Sequence, residues 1–175
     1  MPRLRKMLGD VNFPGCIALM RQIETQSART LAAWAVRDAA SRCLPLYEAA
    51  FPGDDRLRSA VSACEACLHG DIKLAQIKPL LREAAQVARE LEGHSVAQAA
   101  ARAVSTACAT IATPTNALGF VFYSAAACAY SELGLCARQT EYDAYAEREF
   151  DRALHSLNRV SVPEETSPAR ITWNC

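Results

Sequence analysis

Apolar residues recur every three or four positions along most of the chain, and no segment alternates apolar and polar residues as a half-buried strand would. This spacing places the apolar side chains on one face of a helix. A first helix is predicted over residues 14–26, with Ile17, Met20 and Ile23 forming its inward stripe. The abundance of alanine supports the same prediction, because alanine is the strongest helix former.

Prolines, glycines and small polar residues divide the remaining sequence into further helices. A second helix is predicted to begin near Ser27, and Pro45 should kink it or start a fresh turn. Asp71, Ser95 and Thr113 are predicted to cap later helices. The helices after the second are predicted from Asp54 or Asp55 to Gly70, over about 72–91, over 96–112, from Pro114 to Leu133 and over 140–158.

The predicted fold class is all-α, a compact bundle of about six or seven helices. At 175 residues the chain fits one domain spanning 1–175, and no repeat or flexible linker divides it. Residues 1–12 should form a lead-in to the first helix. Residues 159–175 should form a non-helical tail. Such tails are often disordered, but docking is at least as good an expectation here, because Ile171 and Trp173 would be costly to leave in water.

Charge and hydropathy exclude several classes of function. The chain has 19 Lys and Arg against 19 Asp and Glu, which argues against nucleic acid as a partner, since such binding needs a basic surface. The most apolar stretch, 117–130, is too short to span a bilayer as a helix. With no secretory signal pattern at the N-terminus, we expect a cytoplasmic protein without a membrane partner.

Eight cysteines are many for the cytoplasm, and most are expected to be buried and reduced. Cys64, Cys67 and His69 are the weak candidates for a metal site, because residues three apart share a helix face. A structural zinc site needs four ligands, however, and the second half of such a motif is missing. Two buried thiols are therefore the preferred interpretation, and no metal or other cofactor is predicted.

The sequence shows no set of residues with the spacing of a catalytic site, which favours a binding protein over an enzyme. The cluster Asp54, Asp55, Arg56 and Arg58 is either the capped start of a helix or a charged recognition patch. With Trp173 in the tail, these residues are the candidate contacts with a partner.

Four segments together resemble a known family: LGDVNFPGCIALMRQIETQSARTLAAWAV, LPLYEAAFPGDDRLRSAV, AAARAVSTACATIATPTNALGFVFYSAAACAY and PARITWNC. In this order they are similar to the bacterial immunity proteins with an Imm-5-like domain. The resemblance implies an all-helical fold and a role in which the protein protects its producer by binding a cognate polymorphic toxin. In the stretch IATPTNALG the family often carries histidines, whereas this chain has Ala112 and Asn116, so the resemblance implies no histidine site here.

Two functions follow as hypotheses. The first is a binding module that occludes a toxin by covering its active site with a preformed helical face. The second is a small-molecule-binding or metal-binding helical protein, possibly enzymatic, with its site between the Ala-rich helices of 96–130. A homodimer on an apolar helix face is compatible with either.

Overall fold

The computed structural model describes residues 3–174, which contain eight α-helices and no strand. The helices are α1 Pro14–Glu24, α2 Ala28–Arg42, α3 Leu44–Ala50, α4 Arg56–Leu68, α5 Leu74–Glu90, α6 Ser95–Ala109, α7 Asn116–Leu133 and α8 Gln139–Val160. The predicted all-α bundle is confirmed. Counting α2 and α3 as one helix interrupted at Cys43, two residues before Pro45, gives seven, the upper number predicted.

Helix α6 lies at the centre of the bundle, where it packs against α2, α3, α4, α5 and α7. Alanines dominate its buried positions, so neighbouring backbones can approach closely. Its most extensive contact is with α7, which is also buried along most of its length. A helix that is apolar on nearly all sides belongs inside a protein. The remaining helices therefore surround this pair, and α8 packs on α1, α7 and α2.

The local signals for helix ends succeeded at some places and failed at others. Ser27 caps α2, accepting a hydrogen bond from the Thr30 backbone N–H at 3.2 Å. The predicted caps Asp71 and Thr113 are wrong, because α5 is preceded directly by Lys73 and α7 by Thr115. Ser95 is the first residue of α6, after His94 at the cap position.

The predicted inward stripe of α1 also needs correction. Ile17 is 37% exposed, whereas Cys16, Leu19 and Ile23 are the buried residues of this helix. The buried set is spaced by three and four positions, so the helical period and the inward position of Ile23 were predicted correctly. Cys16 and Leu19 take the inward positions that were assigned to Ile17 and Met20.

Both chain ends within the described range pack on the bundle. Before α1, Leu8 is buried, and its backbone N–H donates to the Phe122 carbonyl at 3.2 Å. After α8, the tail returns along α1: the Val162 N–H donates to Gln26 Oε1 at 2.8 Å, and the Ala169 N–H donates to the Gln26 carbonyl at 2.8 Å. Gln26 is only 2% exposed, so its amide is committed to holding the tail.

Among residues 3–174, none of the helices is both long enough and apolar enough to cross a membrane.

Candidate functional site

Two predicted partner contacts, Asp54 and Arg56, are held by hydrogen bonds within the chain. The Arg56 side chain donates to Asp54 from Nε and Nη2, at 3.0 and 2.7 Å, and also from Nη2 to Glu90 at 2.9 Å. The Tyr47 hydroxyl donates at 2.7 Å to Asp54 Oδ2, the oxygen that also accepts from Arg56 Nη2. This cluster joins α3, the start of α4 and the end of α5, so its charges stabilise the packing of these three helices.

The same contacts shift the pKa values of the Asp54 carboxyl and the Tyr47 hydroxyl. Hydrogen bonds from Arg56 hold the pKa of Asp54 well below its usual range, against the opposing effect of burial. Burial, together with the hydrogen bond to Asp54, raises the pKa of Tyr47 to about 12. The carboxylate and the neutral phenol are therefore the stable forms at neutral pH.

The other predicted contacts are more accessible. Asp55 is exposed and makes no side-chain capping bond to α4. Arg58 is 60% exposed and forms a two-pronged ion pair with Glu48, at 2.6 and 2.7 Å. The Trp173 indole packs partly buried against the core, and its Nε1 donates to the Glu24 carboxylate. Neither the Arg58 fork nor the Trp173 indole is left without a bonding partner.

The weak metal candidates do not converge on one point. Cys64 is fully buried, and its thiol donates to the Cys108 carbonyl at 3.7 Å. Cys67 is half-buried, and His69 is exposed just beyond the end of α4. The described part of the chain holds no group of three or more histidine, cysteine or acidic side chains placed to bind a metal ion.

A groove between α2 and α8 forms a concave site on the surface of the described residues. Its volume is about 570 Å³, within the range of ligand pockets. Five arginines and a single acidic residue line it, with Trp34 forming part of its apolar wall. The arginines are Arg29, Arg37, Arg42, Arg152 and Arg159. We call this feature the arginine groove.

Two nearly buried carboxylates fix the arginines of its floor. Arg152 makes a two-pronged ion pair with Asp38, with both N–O distances 2.9 Å, and its Nε donates to Glu149 at 2.7 Å. Arg42 Nη2 donates to the other Glu149 oxygen at 2.7 Å. The side chains of Asp38 and Glu149 are only 7% and 5% exposed. This four-residue network ties α2 to α8.

Opposite charges keep the two floor arginines protonated. Burial alone would lower the pKa of each guanidinium, but Glu149 raises that of Arg42, and Asp38 with Glu149 raises that of Arg152. The Arg42 and Arg152 guanidiniums of the groove floor therefore stay cationic.

A thiol pair from α7 and the α2–α3 junction lies behind the network. Arg42 Nη2 also donates to Cys128 Sγ at 3.6 Å, and the neighbouring Cys43 thiol donates to the Ser124 hydroxyl at 3.4 Å. The adjacent Cys43 thiol, reinforced by the charge of Arg42, lowers the pKa of the Cys128 thiol despite its burial. The groove floor thus rests directly on the α7 core.

Sequence reasoning did not find this groove. A signal was present: Arg29 and Arg37 are eight residues apart on α2, and Arg152 and Arg159 are seven apart on α8, so each pair shares a helix face. The sequence did not show that these two faces meet, since Asp38 and Arg152 are 114 positions apart.

The network predicts a specific pattern of stability. Arg152→Met should lower the free energy of unfolding by about 3 kcal/mol, because it leaves the Asp38 carboxylate buried without its cation. Adding Asp38→Asn should recover at least about 1 kcal/mol of that loss, because the buried charge is then removed. Urea unfolding of the two variants measures both effects. Arg159→Met, on the exposed part of the same helix, is the control and should change stability by less than about 0.5 kcal/mol; an equal loss in the two single variants would show that the network is not stabilising.

The Asp54 cluster predicts a pH-dependent contribution. Asp54→Asn should destabilise the protein by about 1–3 kcal/mol at pH 7, because Arg56 and Tyr47 bond a charged acceptor. The folded-state pKa lies below the unfolded value of about 4, so this contribution is complete above pH 4 and is lost as the pH falls through the folded-state value. Unfolding measured between pH 7 and pH 2 should show the gap between wild type and variant narrowing. The neighbouring Asp55→Asn is the matched control, and a gap that is constant with pH would contradict the assignment.

Comparison with known proteins identifies the chain at the level of a family. No curated protein and no solved structure matches it. The family model described as "Imm-5 like putative immunity protein" matches residues 21–155, which include all of α2 and the part of α8 that carries Glu149 and Arg152. The match covers well over half of the sequence and confirms the family resemblance; it includes the second and third segments and part of the first, whereas PARITWNC lies beyond it. The chain therefore belongs to the Imm-5-like immunity protein family.

Proposed function

We propose that the protein binds a cognate bacterial toxin through the arginine groove and the surrounding α2–α8 face, and neutralises it by steric occlusion. The observation that carries the proposal is the family match over residues 21–155, because an immunity protein acts on a partner toxin. The protein would act in the cytoplasm as one helical domain with its tail docked.

Three properties of the α2–α8 face favour it as the binding surface. It is concave and fixed by the Arg42, Asp38, Glu149 and Arg152 network, so little conformational entropy would be lost on binding. It presents exposed arginines, one of the residue types that most often supply binding energy in interfaces. Its arginines outnumber its acidic side chains, which gives complementarity to a partner of the opposite charge.

The other predicted contacts have smaller parts in this proposal. Arg58 can exchange its exposed pairing with Glu48 for a partner at low cost, as rim residues commonly do. Asp54, Arg56 and Trp173 are occupied by bonds within the chain. The alternative function, a ligand site between α6 and α7, stays an untested prediction.

Co-expression with a candidate toxin, sought among the genes next to the one for this chain, tests the proposal. Wild-type protein should restore growth and co-purify with the toxin. The double variant Arg37→Glu/Arg159→Glu should weaken binding by at least about tenfold, because it reverses two exposed charges of the groove. Binding affinity measured by calorimetry and growth in the co-expressing strain are the two measurements.

Arg82→Glu supplies the control, since Arg82 is an exposed arginine on α5, outside the arginine groove. It should bind and protect as the wild type does. Absence of both rescue and complex with the wild-type protein would overturn the proposed function. Equal losses in the groove variant and in Arg82→Glu would retain the function but reject this face.

A further inference from the structure

We infer that the arginine groove receives an acidic segment of a protein partner, whose Asp or Glu carboxylates bind the exposed arginines on the two sides of the groove. The inference rests on the proposed function and specifies the chemistry of the partner surface.

The arginine groove carries more positive than negative charge. Within the network, the two carboxylates of Asp38 and Glu149 balance Arg42 and Arg152. Arg29, Arg37 and Arg159 are exposed, and within residues 3–174 none of their side chains forms an ion pair or a hydrogen bond. Three positive charges therefore face one groove in a chain whose charged residues balance overall.

The type of cation in the groove also favours carboxylates as its ligands. All five cations that line the groove are arginines, and no lysine is among them. A guanidinium presents a planar fork that matches the two oxygens of a carboxylate, whereas lysine provides only a point charge. The groove itself shows this geometry, because Arg152 already holds Asp38 through two parallel bonds.

The floor of the groove retains unused hydrogen-bonding capacity. Among the described residues, the one buried side-chain nitrogen or oxygen without a hydrogen-bond partner is Arg42 Nε. A buried donor left without an acceptor costs free energy. Its guanidinium is held by Glu149 through Nη2, so the Nε donor has a fixed position in the floor of the groove.

The apolar wall favours a polypeptide over a nucleic acid. Trp34 is 4% exposed and is held by a hydrogen bond from its Nε1 to the Ser156 hydroxyl at 2.8 Å. Ala33 and Val160 are exposed beside it. This combination suits a segment that alternates acidic and apolar side chains. A nucleic acid would require a basic track longer than a groove of about 570 Å³.

Trp34 also provides the readout for a test. The chain has two tryptophans, so Trp173→Phe leaves Trp34 as the only indole. In this full-length variant, after circular dichroism has verified its helical content, a hexaglutamate peptide should change Trp34 fluorescence in a saturable manner. Raising the salt concentration should weaken the binding, because exposed ion pairs are screened. Arg37→Glu/Arg159→Glu should lower the affinity by at least about tenfold, and Arg82→Glu should leave it unchanged within about twofold.

Two further ligands separate the chemistries that arginine can bind. Hexathymidylate and inorganic phosphate, at the same concentrations, should bind at least about tenfold more weakly than hexaglutamate. Equal or tighter binding of hexathymidylate would assign the groove to nucleic acid, and equal binding of phosphate would assign it to small anions; either result overturns the inference. A fluorescence change that persists undiminished in the groove variant also overturns it.

The outcomes remain separable from those of the proposed function. Toxin binding without hexaglutamate binding would reject the acidic segment and retain the immunity role. Hexaglutamate binding without toxin binding or rescue would reject the immunity role and retain the chemistry of the groove.

Discussion

Two carboxylates in the region where α8 crosses α2 have almost no contact with water, and each must be neutralised where it lies. The cost of burying an ion is repaid only by close pairing and hydrogen bonding with its counter-ion. Asp38 and Glu149 meet this condition through Arg152 and Arg42, with four N–O contacts of 2.7–2.9 Å. Because these bonds require one relative placement of the two helices, they fix the groove at the same time as they stabilise the fold.

The alanine-rich centre of the bundle makes this placement possible. Helices α6 and α7 approach closely, and α2 and α8 both pack on α7. Arg42 contacts this core directly through Cys128, so the floor of the groove is as rigid as the core beneath it. The exposed arginines on the two sides of the groove therefore lie on helices α2 and α8, whose relative position is fixed. This is the arrangement expected of a preformed binding surface.

Local sequence signals predicted the helices well because helix formation depends on nearby residues. Ser27 capped α2 and Pro45 started a new helix, each through a property of its own backbone or side chain. The inward face of α1 was misplaced because Cys16 and Ile17 are adjacent and both apolar, and only tertiary packing decides between them. The predicted caps Asp71 and Thr113 failed for a related reason, since several polar residues in each loop were available.

The candidate site was less predictable than the fold. The DDRLR segment was singled out because its charges are adjacent in sequence, but Asp54 and Arg56 bond to each other and to Tyr47 and Glu90. The arginine groove depends on residues far apart in the chain, and periodicity reports which residues share a helix face without reporting which helices meet. The family resemblance indicated a partner but not the surface that binds it.

The central claim is that the α2–α8 face receives the toxin. A crystal structure of the complex with the cognate toxin tests it most directly. Partner carboxylates should lie within hydrogen-bond distance of Arg37 and Arg159, with the groove filled and the network of Asp38, Glu149, Arg42 and Arg152 unchanged. A toxin bound to the α4–α5 surface, with the arginine groove open to solvent, would contradict it.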